Sequence, residues 1–184
     1  LATEEGSFLK SCLDFLSNPW DSLSRAEIQI FANESKTITE ILNDRLTYLE
    51  ERAIHFEKSE EKFREWGEDH KWIQKLKAMS ENIGESSITE IINQVLIEFD
   101  FQSHIRRWGD SDLRSANIEQ FRSLGKSYED ECYKVGAATT LTGFLIWLSD
   151  QDSIKQAAGV GPDAVNIFTY HRSKGLEWPI DICG

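Results

Sequence analysis

The sequence predicts a mainly α-helical domain that closes on a short strand-turn-strand. Three observations carry that expectation. Apolar side chains recur at three- and four-residue steps through most of the chain, the period of a half-buried helix. Only 3 prolines and 11 glycines punctuate 184 residues, which suits long helices joined by short turns. The pattern then changes once: Val165 to Thr169 reads as a strand, a polar turn follows, and Ile180 to Cys183 reads as a second strand after Pro179.

The first helix is expected over 4–16, where Phe8, Leu9, Cys12, Leu13, Phe15 and Leu16 form a stripe. Asn18-Pro19 ends it, because the residue before proline is pushed out of the helical region. Asp21 or Ser22 can cap the next helix, with Ser24-x-x-Glu27 as a second capping-box candidate. Leu23, Ala26, Ile30 and Phe31 are its expected buried face. A long helical region from Thr37 to Trp66 follows, with Ile38, Ile41, Leu42, Leu46, Leu49, Ala53 and Phe56 in register and a charged second half. A short helix around Trp72, Ile73, Leu76 and Met79 ends near Asn82-Ile83-Gly84.

Ser86 or Ser87 caps the clearest helix, whose stripe is Ile88, Ile91, Ile92, Val95, Leu96 and Phe99. Such a stripe is far more often core than cofactor site. Phe101, Ile105 and Trp108 continue a shorter segment to Gly109. Asp110 or Ser111 opens a helix that Gly125 should close, and Tyr128 to Gly136 reads as a separate one. Leu141 to Leu148 is the last helix. Ser149 to Pro162 has little apolar content and reads as a linker.

A net charge of −12, from 32 acidic and 20 basic residues, disfavours a chain that coats nucleic acid non-specifically. Cys12, Cys132 and Cys183 are odd in number and have no Cys-x-x-Cys spacing, so buried free thiols in a reducing cytoplasm are expected. No apolar run approaches the roughly 18 residues of a membrane span. The N-terminus lacks the features of a signal peptide. Leu1 in place of methionine, with Gly184 just after an apparent strand, leads us to expect a piece of a longer protein.

Several chemistries are missing from the sequence. No GxxxxGK[ST] run is present to cradle phosphates, and Gly159-Val160-Gly161 before Pro162 is only a loop. His55, His70, His104 and His171 form no metal spacing, so no metal site is expected. Glu50-Glu51, Glu60-Glu61 and Glu68-Asp69 read as solvated helix faces rather than paired catalytic carboxylates. No catalytic residue is assigned within the chain.

One turn is chemically dense: Thr169-Tyr170-His171-Arg172-Ser173-Lys174-Gly175-Leu176-Glu177-Trp178-Pro179. Taken physically, Thr169 and His171 suit hydrogen bonds to a phosphate or base edge. Lys174 by charge and Gly175 by its accessible backbone suit an anionic group, and Glu177 can accept from a ribose hydroxyl. A polar turn of this composition is otherwise a surface turn, and physics alone leaves the two readings even.

The run resembles motif V of superfamily 1 DNA helicases of the UvrD/Rep/PcrA and RecB/AddA group, T-x-H-x-[SA]-K-G-L-E-[FW]-P between two strands of the second RecA-like domain. Arg114-x-x-Asn117-Ile118-x-x-Phe121 is similar to the R-x-x-N helix that precedes that motif, and Leu141-Thr142-Gly143-Phe144-Leu145 to the helix after it. Glu5 with Asn18-Pro19-Trp20-Asp21 is similar to the segment after motif IV. Residues 32–108 carry no diagnostic motif.

The resemblance implies that 1–31 is a helical segment of RecA-like domain 2A, that 32–162 is a helical 2B-like domain, and that 163–184 returns to 2A with motif V. It implies that Lys174, Gly175 and Glu177 face the nucleotide, and that Thr169, His171 and Ser173 face single-stranded DNA. The longer protein would use ATP and Mg²⁺, held mainly by residues outside this chain. It would unwind duplex DNA, and its protein partner would be a nuclease or a second helicase subunit. Two other readings stay open: a helical protein-interaction module, favoured by the acidic balance and the stripes, and an inactive helicase-like scaffold.

Overall fold

The computed structural model describes residues 3–32, 36–58 and 62–151. Thr3 opens the first helix, α1 (Glu4–Ser17), by accepting the Gly6 N–H on its hydroxyl. Nine of its fourteen residues are buried, and only the stripe of Glu4, Ser7, Lys10, Asp14 and Ser17 is left toward solvent, so most of its circumference lies in the core. Five helices pack against α1: α2 (Ser22–Ala32), α4 (Lys71–Ser80), α5 (Ile88–Glu98), α7 (Ser111–Val135) and α8 (Leu141–Asp150). Phe8, fully buried, stacks on Trp72 at 5.1 Å and on Phe101 at 5.0 Å, and meets Phe99 edge-on. One α1 side chain thus joins α4, α5 and α6 (Phe101–Trp108) in a single aromatic cluster.

The helix starts follow local chemistry. Asp21 accepts the Leu23 and Ser24 N–H groups, so it and not Ser24 starts α2. Leu23 turns out exposed, and Ile28 takes the buried place beside Ala26. Thr37 and Glu40 form a reciprocal box at the start of α3 (Ile38–Lys58). Ser87 and Glu90 do the same for α5, and Thr140 caps α8.

α3 stops at Lys58 instead of running to Trp66. The chain over 62–70 turns back along α3, and Arg25 holds it there. Its guanidinium, 5% exposed, donates to the Pro19 carbonyl from Nε and Nη2 and to the Trp66 carbonyl from Nη1 at 2.7 Å. Phe15 lies under the same group, so the buried cation has partners on every side.

The expected break at Gly125 is absent: Ser111–Val135 is one helix. A Cβ on Gly125 would lie 2.9 Å from Ile92 Cδ1 and 3.4 Å from Ile88 Cγ2. The glycine therefore lets α5 approach α7, which is a packing role and not a terminating one. The end comes at Gly136, with φ 65°, whose N–H and that of Ala137 return to the Tyr133 and Cys132 carbonyls. All the described regular structure is helical, and the expected strands at 165–169 and 180–183 lie outside the described residues.

Candidate functional site

Thr169, His171, Ser173, Lys174, Gly175 and Glu177 all lie outside the described residues. The second stretch singled out from the sequence, Arg114 to Phe121, is described in full. Spacings of three, four and seven residues put Arg114, Asn117, Ile118 and Phe121 on one face of α7. That face lies on α1. Ile118 and Phe121 are buried, and the two polar residues meet Glu5, whose side chain is 1% exposed.

Arg114 Nη1 donates to Glu5 Oε2 at 2.7 Å, and Asn117 Nδ2 donates to Glu5 Oε1 at 2.6 Å. Arg114 also pairs with Glu4 at 3.0 Å, donates Nε–H to the Gly109 carbonyl, and lies over the Trp108 ring. Burial by itself would raise the Glu5 carboxyl. Hydrogen bonds from Asn117, the local backbone, Thr3 and Arg114 outweigh it and hold the group below its usual value. Both carboxylate oxygens are thereby engaged by donors. Such a group does not serve as a general base; it ties the start of α1 to the start of α7.

In the sequence, Glu5 lies in one motif-like stretch and Arg114 with Asn117 in another, and nothing there pairs them. The signal that could have found the pair is chemical: a carboxylate at the start of one apolar helix and an Arg-x-x-Asn face at the start of another.

An open groove of about 790 Å³ lies between α2, α3 and the 62–71 segment. Asp44, Glu51, Glu65, Glu68 and Asp69 line it against Arg64 and Lys71, a balance that repels a triphosphate. Among the described residues no group of three or more His, Cys, Asp or Glu is placed to hold a metal ion. Nor is any described helix long and apolar enough to cross a membrane.

Comparison with known sequences decides what kind of chain this is. The family described as the UvrD-like helicase C-terminal domain matches residues 10–182, almost the whole length. The chain belongs to that family. Among its UvrD-like relatives, the ATP-dependent DNA helicase PcrA of Bacillus subtilis (strain 168) is 30% identical over 101 residues, covering 51% of this chain and 13% of that protein. The PcrA of Leuconostoc citreum is 27% identical over the same length. A subunit of the ATP-dependent helicase/nuclease of Levilactobacillus brevis is 22% identical over 191 aligned positions, 97% of this chain and 15% of that protein. This UvrD-like chain therefore spans 13–15% of the length of these relatives and is a helicase-family segment of the UvrD/PcrA/RecB group. No solved structure matches it.

Proposed function

We propose that this chain is a non-catalytic segment of an ATP-dependent DNA helicase or helicase-nuclease, working in DNA repair or recombination in the cytoplasm. In this reading residues 1–31 belong to RecA-like domain 2A, residues 32–162 to a 2B-like helical domain, and residues 163–184 to 2A again. The observation that carries it is the family match over 10–182, which runs through the Thr169–Glu177 turn. The names of the relatives add DNA and ATP, and one of them adds a nuclease and the word subunit.

Lys174, Gly175 and Glu177 would face the nucleotide, and Thr169, His171 and Ser173 the single strand. ATP with Mg²⁺, held mainly by other parts of the longer protein, would supply the free energy for translocation and unwinding. A turn that touches both ligands links nucleotide state to grip on DNA, because a free-energy coupling between two sites needs an element that senses both. The chain itself has no P-loop sequence, and its described groove is acidic.

The test uses the full-length helicase that carries this segment. Lys174→Ala and Glu177→Ala are expected to impair DNA-stimulated ATP hydrolysis, and His171→Ala to weaken its stimulation by DNA. Three variants that all unwind at the wild-type rate would refute the assignment of the turn. The isolated chain is expected to hydrolyse no ATP, with or without oligonucleotide. Steady-state turnover by the pure chain would refute its non-catalytic role.

A further inference from the structure

α3 is joined to the rest of the protein by little apolar surface. Of its 21 residues it buries only Ile41 and Tyr48, whereas α1 buries nine of fourteen and α5 five of eleven. The core built around Phe8, Leu9 and Leu13 contains no residue of α3, fully or partly buried. Among the described helices only α2 packs against α3 to any extent. The outward side, where Ile38, Leu46 and Phe56 are each more than half exposed, adds nothing.

Polar and aromatic contacts supply what burial does not. The Tyr48 hydroxyl donates to Glu65 Oε2 at 3.3 Å, and the Phe63 ring meets Tyr48 at 5.6 Å and His55 at 4.9 Å. The 62–70 segment is thereby bound to α3. It is fastened to the body at a buried point, the Trp66 carbonyl, which accepts from Arg25 Nη1 at 2.7 Å. Arg25 itself belongs to the body, since its other donors hold the Pro19 carbonyl and its guanidinium covers the Phe15 ring of α1. The remaining ties are a bond from Arg45 to Ser22 at 3.0 Å and an exposed Lys77–Glu68 pair, which adds little.

Local opening follows the distribution of buried apolar area: a unit outside the shared core can open while the core stays closed. We propose that α3 and 62–70 form such a unit, opening from the α1-centred body as one piece, and that Arg25 is its latch. The guanidinium bridges two carbonyls, Pro19 on the body and Trp66 on the unit. Breaking the Trp66 bond leaves the buried cation its Pro19 partner and the Phe15 ring, so opening orphans no charge. A detached helix of this length is only marginally stable in water, so its amides exchange when the unit opens.

Hydrogen exchange of the 184-residue chain, followed by mass spectrometry under conditions that report the opening equilibrium, tests this. Amides of α3 are expected to be at least about a hundredfold less protected than those of α1 and α5. Ile41→Ala, outside the core, should lower the protection of α3 by about tenfold or more and leave α1 and α5 unchanged. Ile92→Val, inside the core, should lower the protection of α1 and α5 and leave α3 unchanged. Arg25→Lys keeps the charge but has no planar fork to span both carbonyls, so it should release α3 and 62–70 more than α1. Equal protection of α3 and α1 in the wild type overturns the proposal. So does an Ile41→Ala or Ile92→Val effect spread evenly over both, and an Arg25→Lys variant whose α1 amides lose as much as its α3 amides overturns the latch.

Discussion

Asn117 donates its side-chain amide to Glu5 at 2.6 Å, across 112 residues of chain. Together with Arg114 on the other carboxylate oxygen, it converts the one buried acid at the start of α1 into a fixed junction with α7. A buried charge with its partner removed is costly, whereas the intact pair contributes little net stability.

The junction is therefore expected to show a strong asymmetry under mutation. Arg114→Ala leaves the Glu5 carboxylate buried without its cationic partner and should lower stability by about 3 kcal/mol. Asn117→Ala removes one bond and should lower it by about 1–2 kcal/mol. Restoring neutrality with Glu5→Gln in the Arg114→Ala background should recover part of that loss. Urea denaturation measures all three, and equal stability for wild type and Arg114→Ala would remove the junction from the account.

The same carboxyl predicts a pH dependence. Its folded value is depressed, burial being outweighed by its hydrogen bonds, while in the unfolded chain it titrates ordinarily near 4.5. A depressed acid contributes stability above its unfolded value and loses that contribution as pH falls through the folded one. The stability difference between wild type and Glu5→Gln should therefore be constant above about pH 6 and narrow on acidification below about pH 5. A difference that stays flat from neutral to strongly acidic pH would contradict the lowered Glu5 value.

Gly125 offers a test of packing against propensity. Glycine to alanine inside an exposed helix gains about 1 kcal/mol. Here the added methyl meets Ile92 Cδ1 at 2.9 Å and Ile88 Cγ2 at 3.4 Å, and overpacking costs about 1–3 kcal/mol. Gly125→Ala is expected to show none of the propensity gain, and Gly125→Val to lose about 2 kcal/mol or more. A thermal scan in which alanine raises the melting temperature would show that α5 and α7 are not in close approach.

α6 is bounded by two aspartates in the left-handed region, Asp100 at φ 44° and Asp110 at φ 49°. Alanine there costs about 1–2 kcal/mol in backbone strain. Asp100 also accepts the Ser103 hydroxyl at 2.5 Å, while Asp110 makes no side-chain cap bond. Asp100→Ala should accordingly destabilise more than Asp110→Ala. Asp110→Gly should stay within about 0.5 kcal/mol of the wild type. The reverse order in denaturant midpoints would mean that the Ser103 bond carries no weight.

The helices themselves were readable because their signals are local. The stripe from Ile88 to Phe99 and the cap at Ser87 act within a few residues of where they are written, while the Glu90 half of that box and the Thr140 cap, equally local, emerged only with the structure. The helicase resemblance was readable for a related reason: the Thr169–Glu177 turn holds its chemistry in one contiguous run. The placement of its side chains rests on the sequence alone, since these residues lie outside those described.

What the sequence by itself determined, then, was the helical class, the place of most helices and the family. Tertiary structure decided the rest, because it depends on residues far apart in the chain. Gly125 is a breaker by propensity and becomes a helix interior only when Ile88 and Ile92 lie against it. Period predicts an apolar stripe on α3 that should be covered, yet among the described residues Ile38, Leu42, Leu46 and Phe56 of that stripe stay exposed. Glu5, Arg114 and Asn117 are ordinary polar residues until folding closes a loop of more than a hundred residues and takes the carboxylate out of water.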